Sequence, residues 1–404
     1  MNYIFEEQRH TEIIGNFDVA VVGGGVAGIS AALAASRNGA KTVLLEREFT
    51  LGGLGTLGLI AIYLPLCDGM GHQVSFGIAE ELLRLSIKYG SENCNNSNED
   101  RRPEVWINNG KYEDKLKFRY EAQYNPSIFA IECEQLLLEN GVKIMYGCQV
   151  CDTVLKNGRL EAVILEEKGG RKAVCAKSFI DCTGDADVCK FSGVPIKVYE
   201  KKNALAAWYY GHTGNMFRLN MYGCADSVSV EQIKIIGNTK RYSGLDSESI
   251  TEFMINAHAS AKSHFLRNGQ ITPDYSMASI PTIPQLRMTR RIDGEYVLSE
   301  TDEKKFFDDS VGMFADWRKA GPIYELPFRS LYSSKVKNLA VAGRCISSDD
   351  KMWDVTRVIP VCAVSGQAVG TASAISDDFT SINIELLQKK LITDGVKLHC
   401  GKLF

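Results

Sequence analysis

One stretch, Phe17 to Glu46 (FDVAVVGGGVAGISAALAASRNGAKTVLLE), constrains what this chain can fold into more than any other. Asp18 to Val22 is a β-branched and apolar run that stops at glycine, and it reads as a short buried strand. Gly23, Gly25 and Gly28 then supply the spacing G-x-G-x-x-G. Ile29 to Asn38 is a run of good helix formers closed by Gly39, and Lys41 to Leu45 is a second strand ended by Glu46. Each piece has a task in holding a dinucleotide. Gly23 permits a tight turn, Gly25 lets backbone approach a pyrophosphate, and Gly28 allows the helix to pack closely on the strand. The helix N-terminus offers unpaired N–H groups and a positive dipole end to the phosphates. Glu46 can accept hydrogen bonds from ribose hydroxyls. The motif alone does not choose between NAD and FAD.

At 404 residues the chain has room for two domains, each with its own core. Its formal net charge of -3 gives no electrostatic reason to expect nucleic acid or an anionic membrane as partner. The apolar runs Val19–Ala35, Leu51–Leu66 and Val355–Ile375 are all punctuated by glycine, so no membrane-inserted span is expected. The N-terminal residues carry acidic groups and no apolar core, unlike a secretory signal. Twelve cysteines follow no disulfide spacing, which makes reduced thiols and a cytoplasmic location the default expectation. Six dispersed histidines form no zinc spacing with cysteine, and no metal is expected.

Along the chain, residues 1–90 read as the first part of a dinucleotide-binding domain and 91–122 as an excursion over the substrate side. Ser91 to Arg102 within it is polar and asparagine-rich, and reads as a mobile loop. Residues 123–190 return to the first domain, with a helix opened by Asn125-Pro126 and a hairpin at Asn157-Gly158. From 191 to 335 the glycine–strand–helix grammar lapses into an aromatic-rich substrate or cap domain of mixed α+β character. Residues 336–404 resume the first domain, with a strand over Asn338–Ala342 and a small-residue helix from Val358 to Ile375. The expected class is α/β: a Rossmann-like domain with a central parallel sheet and an inserted second domain.

GGGVAG with Glu46, the LGGLGT loop, the DCTGDAD turn and NLAVAGRC before a small-residue helix occur in that order. Together they resemble the flavoproteins with a glutathione-reductase-like FAD fold. VIPVCAVSGQAVGTA and RMTRRIDGEYVL resemble, more narrowly, a bacterial FAD-dependent oxidoreductase family. The resemblance implies noncovalent FAD. Gly23, Gly25 and Gly28 would hold its pyrophosphate and Glu46 its ribose, with Arg47 near the adenine. Gly52, Gly53 and Thr56 would border the ribityl and isoalloxazine part. Val150 would offer backbone to the adenine, and Thr183, Gly184 and Asp185 would close over the pyrophosphate. Gly343, Arg344 and the start of the Val358 helix would meet the ribityl chain and the pyrimidine edge of the flavin, where Gln367 is a candidate donor. The implied activity is hydride transfer to or from a small organic substrate.

No second G-x-G-x-x-G lies between 100 and 330, so electrons must come from the substrate, a transiently bound NAD(P)H or a redox partner protein. A flavin-dependent hydroxylase and an electron-transfer subunit stand as alternatives, and a homodimer is open. Arg290 and Arg291 are candidates to bind a substrate carboxylate or stabilise anionic flavin. His212 is a candidate general acid or base, and Arg357 a contact to flavin or substrate. Against these stand plainer roles: an interdomain salt bridge for the arginines, a surface or core position for His212, helix packing for Gln367. Cys148-x-x-Cys151 lies in or between predicted strands, where positions three apart face opposite ways, and is read as two reduced thiols rather than a redox pair.

Overall fold

The glycine-punctuated run folds as its spacing predicts. In the computed structural model, which describes residues 4, 10–91, 102–214, 216–223, 239–267 and 269–402, the first strand is Glu12–Val22 and the first helix Val26–Arg37. The second strand, Thr42–Leu45, is wholly buried. The first strand begins at Glu12 rather than Asp18. Its early residues are exposed or half-buried and are held mainly by pairing with Lys172–Ala176, with Ile14 against the core and Glu12 paired to Lys172. The polar stretch expected as a loop lies, from 92 to 101, outside the described residues.

Five strands form the parallel part of the main sheet. Their spatial order is Lys143–Met145, Thr42–Leu45, Glu12–Val22, Gly170–Asp181 and Leu339–Val341. The hairpin Gln149–Lys156 and Arg159–Glu167 adds antiparallel strands to the early half of Gly170–Asp181. Its turn residues Asn157 and Gly158 both have positive φ, the conformation that matches a two-residue hairpin to strand twist. The sheet is therefore a Rossmann-like one with a mostly parallel centre, as the sequence implies.

Behind the sheet the first helix meets the Ile359–Ile375 helix along a stripe of small residues. A Cβ on Gly366 would stand 2.3 Å from the Ala27 carbonyl oxygen, and one on Gly370 2.2 Å from that of Ala31. This explains the small-residue composition of the last long helix: contact at backbone distance leaves no room for side chains. No single helix among the described residues is long and apolar enough to cross a membrane; Ile359–Ile375 is buried inside the fold.

The cap carries a three-stranded antiparallel sheet, Met216–Asn220, Tyr209–Thr213 and Tyr275–Ser279, beside the helix Ser247–Leu266. Asp246 caps that helix by accepting from Ser249 N. Tyr209, Tyr242, Phe253, Ala257 and Phe265 give it a core of its own. A further hairpin, Ser310–Ala315 with Ile323–Pro327, packs on the last long helix, where Gly312 leaves space for Val364.

Candidate functional site

The cleft begins where the first strand ends. Gly23 turns with φ +100, and a Cβ there would meet the Cys182 carbonyl at 2.5 Å. Gly28 sits under that turn, its would-be Cβ 1.8 Å from the Gly23 oxygen. Gly25, the residue that caps the first helix, differs from both: a Cβ there would meet nothing within 4 Å, because it points into the open cleft. The helix start has no side-chain cap and no acidic residue in its first turn, so its N–H groups remain for a ligand.

Glu46 ends the second strand with both oxygens engaged. Oε2 accepts from Gly24 N at 2.5 Å and Oε1 from Glu48 N at 2.8 Å, and burial pushes the carboxyl up from its ordinary value. The LGGLGT loop packs onto the first glycine turn. Gly52 N donates to Gly24 O, Gly52 and Gly53 both have positive φ, and Thr56 Oγ1 donates to Leu51 O. Across the cleft, Asp181 organises the DCTGDAD turn from a fully buried position. It accepts from Thr183 N, Thr183 Oγ1 and Cys189 N. Arg344 lies against Gly184, where a Cβ would stand 2.5 Å from Nη2, and pairs with Asp185 at 3.2 Å.

The cap roofs this cleft through specific bonds. Thr282 N donates to Leu57 O, Gln285 Nε2 to Gly58 O, and Arg344 Nη1 to Leu286 O. Thr289 Oγ1 donates to Asp185 Oδ1 at 2.5 Å. Gly23, Gly25, Glu46, Arg47, Gly52, Gly53, Val150, Thr183, Gly184, Asp185, Gly343, Arg344 and Arg357 all line one continuous cleft.

The other sequence candidates lie elsewhere. Gly28 supports the turn from beneath, and Thr56 is buried within its own loop. Gln367 turns away, its Oε1 accepting from Ile78 N at 2.8 Å and so capping the Ile78–Ser86 helix. Arg290 pairs with Asp187, while Arg291 is buried against the Trp353 ring with Asp350 at 3.6 Å. His212 is exposed on the cap sheet, its ring 5.2 Å from that of Phe217. Cys148 lines the cleft and Cys151 does not. Both thiols are free, directed at different carbonyls, those of Tyr146 and Ile164. Leu54, Gln149, Asp187, Ile283 and Leu286 also line the cleft and were not singled out from sequence. For Asp187 a signal existed, since it closes the same DCTGDAD turn. For the others only the fold brings them there.

Asp187 has a consequence that can be measured. Burial, with Asp185 and Asp181 close by, pushes its carboxyl up to about 6 against the pull of Arg290 and Arg47. A diphosphate placed beside that carboxyl would raise it further, so FAD binding would take up a proton. FAD affinity is expected to be highest below pH 6 and to fall as pH rises through it, on the order of tenfold for each unit of induced shift. In fluorescence titrations Asp187→Asn should flatten that profile. The same slope in the variant would assign the titration to another group.

A cradle with these properties fits FAD: an open glycine at the helix start, an acid closing the second strand at the cleft, and a roofed far end. A family described as FAD dependent oxidoreductase matches residues 18–234 and 200–391 of the chain. Among curated relatives, the thiamine thiazole synthase of Methanococcus vannielii is 31% identical over 183 residues, 42% of this chain and 58% of that protein. The synthase of Methanococcus maripaludis is 29% identical over 178 residues, 41% of this chain and 55% of that protein. The chain thus spans little more than half the length of these relatives. Among solved structures, a geranylgeranyl bacteriochlorophyll reductase-like protein from Thermoplasma acidophilum aligns over 95% of this chain and 84% of its own, with 13% identity and a TM-score of 0.44. The p-nitrophenol 4-monooxygenase of Pseudomonas putida aligns over 94% and 84%, with 12% identity and a TM-score of 0.49. With the family matched over most of its length, this chain belongs to the FAD-dependent oxidoreductases.

Proposed function

We propose that this enzyme transfers a hydride between FAD and a carbon of a small organic substrate. The observation that carries the proposal is the cleft's continuity from Glu46 to Arg357 and Ile359, under a roof bonded to both of its walls. Glu46 and Val150 would hold the adenosine end, and Gly25, the first helix and Thr183–Asp185 the diphosphate. Gly343, Arg344 and the start of the Ile359–Ile375 helix would meet the flavin end. Bound FAD supplies the two-electron chemistry, and the chain supplies position and electrostatics. The last long helix begins without a side-chain cap or an acidic first turn, so its positive end favours negative charge in the cleft. Gln285 and Thr282 hold the roof to the LGGLGTLG loop, which limits water at the reacting end.

Anaerobic titration of the purified protein with NADH and NADPH, followed by admission of air, tests this. A yellow protein whose flavin absorbance bleaches with a nicotinamide or an organic donor is expected. Bleaching by a nicotinamide directs the search to reduction of activated alkenes. Its absence directs the search to donors such as alcohols, amines and sugars. Fast reoxidation in air with hydroxylated product would establish the hydroxylase alternative instead. A colourless protein that cannot be reconstituted with FAD would overturn the proposal.

A further inference from the structure

Arg318, Arg329, Arg84 and Arg357 each spend the same edge of the guanidinium on a carboxylate. Nε and Nη2 point the same way and form the side-on fork that clamps a carboxylate. In Arg318 they donate to the two oxygens of Asp316 at 2.9 and 2.8 Å, and in Arg329 to those of Asp309 at 2.9 and 3.0 Å. In Arg84 and Arg357 they converge on one oxygen of Glu80 and of Asp354. Arg119 departs from this pattern. Its Nη1 donates to the Trp317 carbonyl at 2.8 Å, but Nε and Nη2 are both buried without an acceptor. Among the buried guanidinium nitrogens of the described residues, no other arginine has both fork atoms unmatched.

The surroundings do not fill the fork. Asp68, on the adjoining loop, spends its oxygens on Met70 N, His72 N and His72 Nδ1. Gly69 on the same loop brings no side chain to Nε; a Cβ there would stand 3.7 Å away. Two desolvated donors on a cation are costly to leave unmade unless something accepts from them. Trp317 also ties this point to the cleft. Its carbonyl holds Arg119, its Nε1 donates to Asp354 O at 2.9 Å, and its ring lies 5.8 Å from the Arg357 guanidinium, which lines the cleft's flavin end.

We infer that Arg119 is the carboxylate-recognition residue of the substrate site, and that the substrate is an organic acid anion clamped by the Nε/Nη2 fork. From the proposed function this takes only that the ligand is the substrate. The clamp itself is independent of any electron transfer.

Acetate and succinate serve as probes on the FAD-loaded protein, with chloride at matched ionic strength as control. Both are expected to raise the melting temperature saturably and to perturb the visible flavin spectrum. Arg119→Lys keeps the charge but has no fork, and should weaken that binding at least tenfold while flavin content stays unchanged. Arg119→Met removes the orphan donors, and should melt no lower than the parent when no carboxylate is added. A purely structural arginine would make that variant less stable. The inference is overturned if neither probe affects the parent protein, or if Arg119→Lys binds them as well as the parent does. A protein that takes up no FAD would defeat the proposed function instead, and the melting shifts would still report on the clamp.

Discussion

Gly25→Val is expected to give a protein that folds and melts like the parent but holds FAD on the order of 100-fold more weakly, a loss of about 2.7 kcal/mol. Gly25 has φ -67 and ψ 178, extended backbone that any residue adopts, and its Cβ direction is open. The new Cβ therefore meets no protein atom, and the side chain would enter the space proposed for the diphosphate. Gly28→Val is the contrasting case. Its Cβ would stand 1.8 Å from the Gly23 carbonyl oxygen, and backbone cannot swing aside as a flexible side chain can. That variant should lose about 3 kcal/mol or more of stability, and FAD with it. Thermal melts and flavin content after gel filtration separate the two outcomes. Should Gly25→Val retain the cofactor with parental affinity, the diphosphate does not lie at this helix start.

What the sequence made legible was local. The turn glycines, the acid closing the second strand and the Asn157-Gly158 hairpin announce themselves within a few residues, because one stretch of backbone imposes each requirement. What it hid depends on distant partners. Gln367 reads as a packed helix residue or a donor beside the flavin; its oxygen caps a helix that begins at Ile78, a neighbour no periodicity could name. The long helix around it is so evenly small and apolar that its faces cannot be told apart from sequence. Arg290 and Arg291 stood out as a pair, but alternation along the short Arg290–Ile292 strand sends them to different partners, Asp187 and Asp350. Arg119 carried no signal at all. An arginine matters there for what it lacks, and the lack appears only once the chain is folded around it.

Gly370→Leu is expected to cost well over 3 kcal/mol and to leave little folded protein, although Gly370 lies far from the cleft's mouth. A Cβ there would meet the Ala31 carbonyl oxygen at 2.2 Å and the Ala31 Cα and carbonyl carbon at 2.9 Å. One turn earlier Gly366 approaches Ala27 in the same way, so the two helices touch at backbone distance over a full turn. Separating them would cost more than packing, because both begin at the cleft: Val26 at the end proposed for the diphosphate, Ile359 at the end proposed for the flavin. A wedge at Gly370 would tilt one N-terminus relative to the other, so any folded remnant should also bind FAD poorly. Because the obstacle is the Ala31 backbone, Ala31→Gly should not rescue it; rescue would show that side-chain volume, not helix approach, sets the spacing. Gly401→Ala, where a Cβ meets nothing within 4 Å, is the control and should melt within about 2 °C of the parent. If Gly370→Leu melted there too, the close crossing would not be what holds the two ends of the cleft in register.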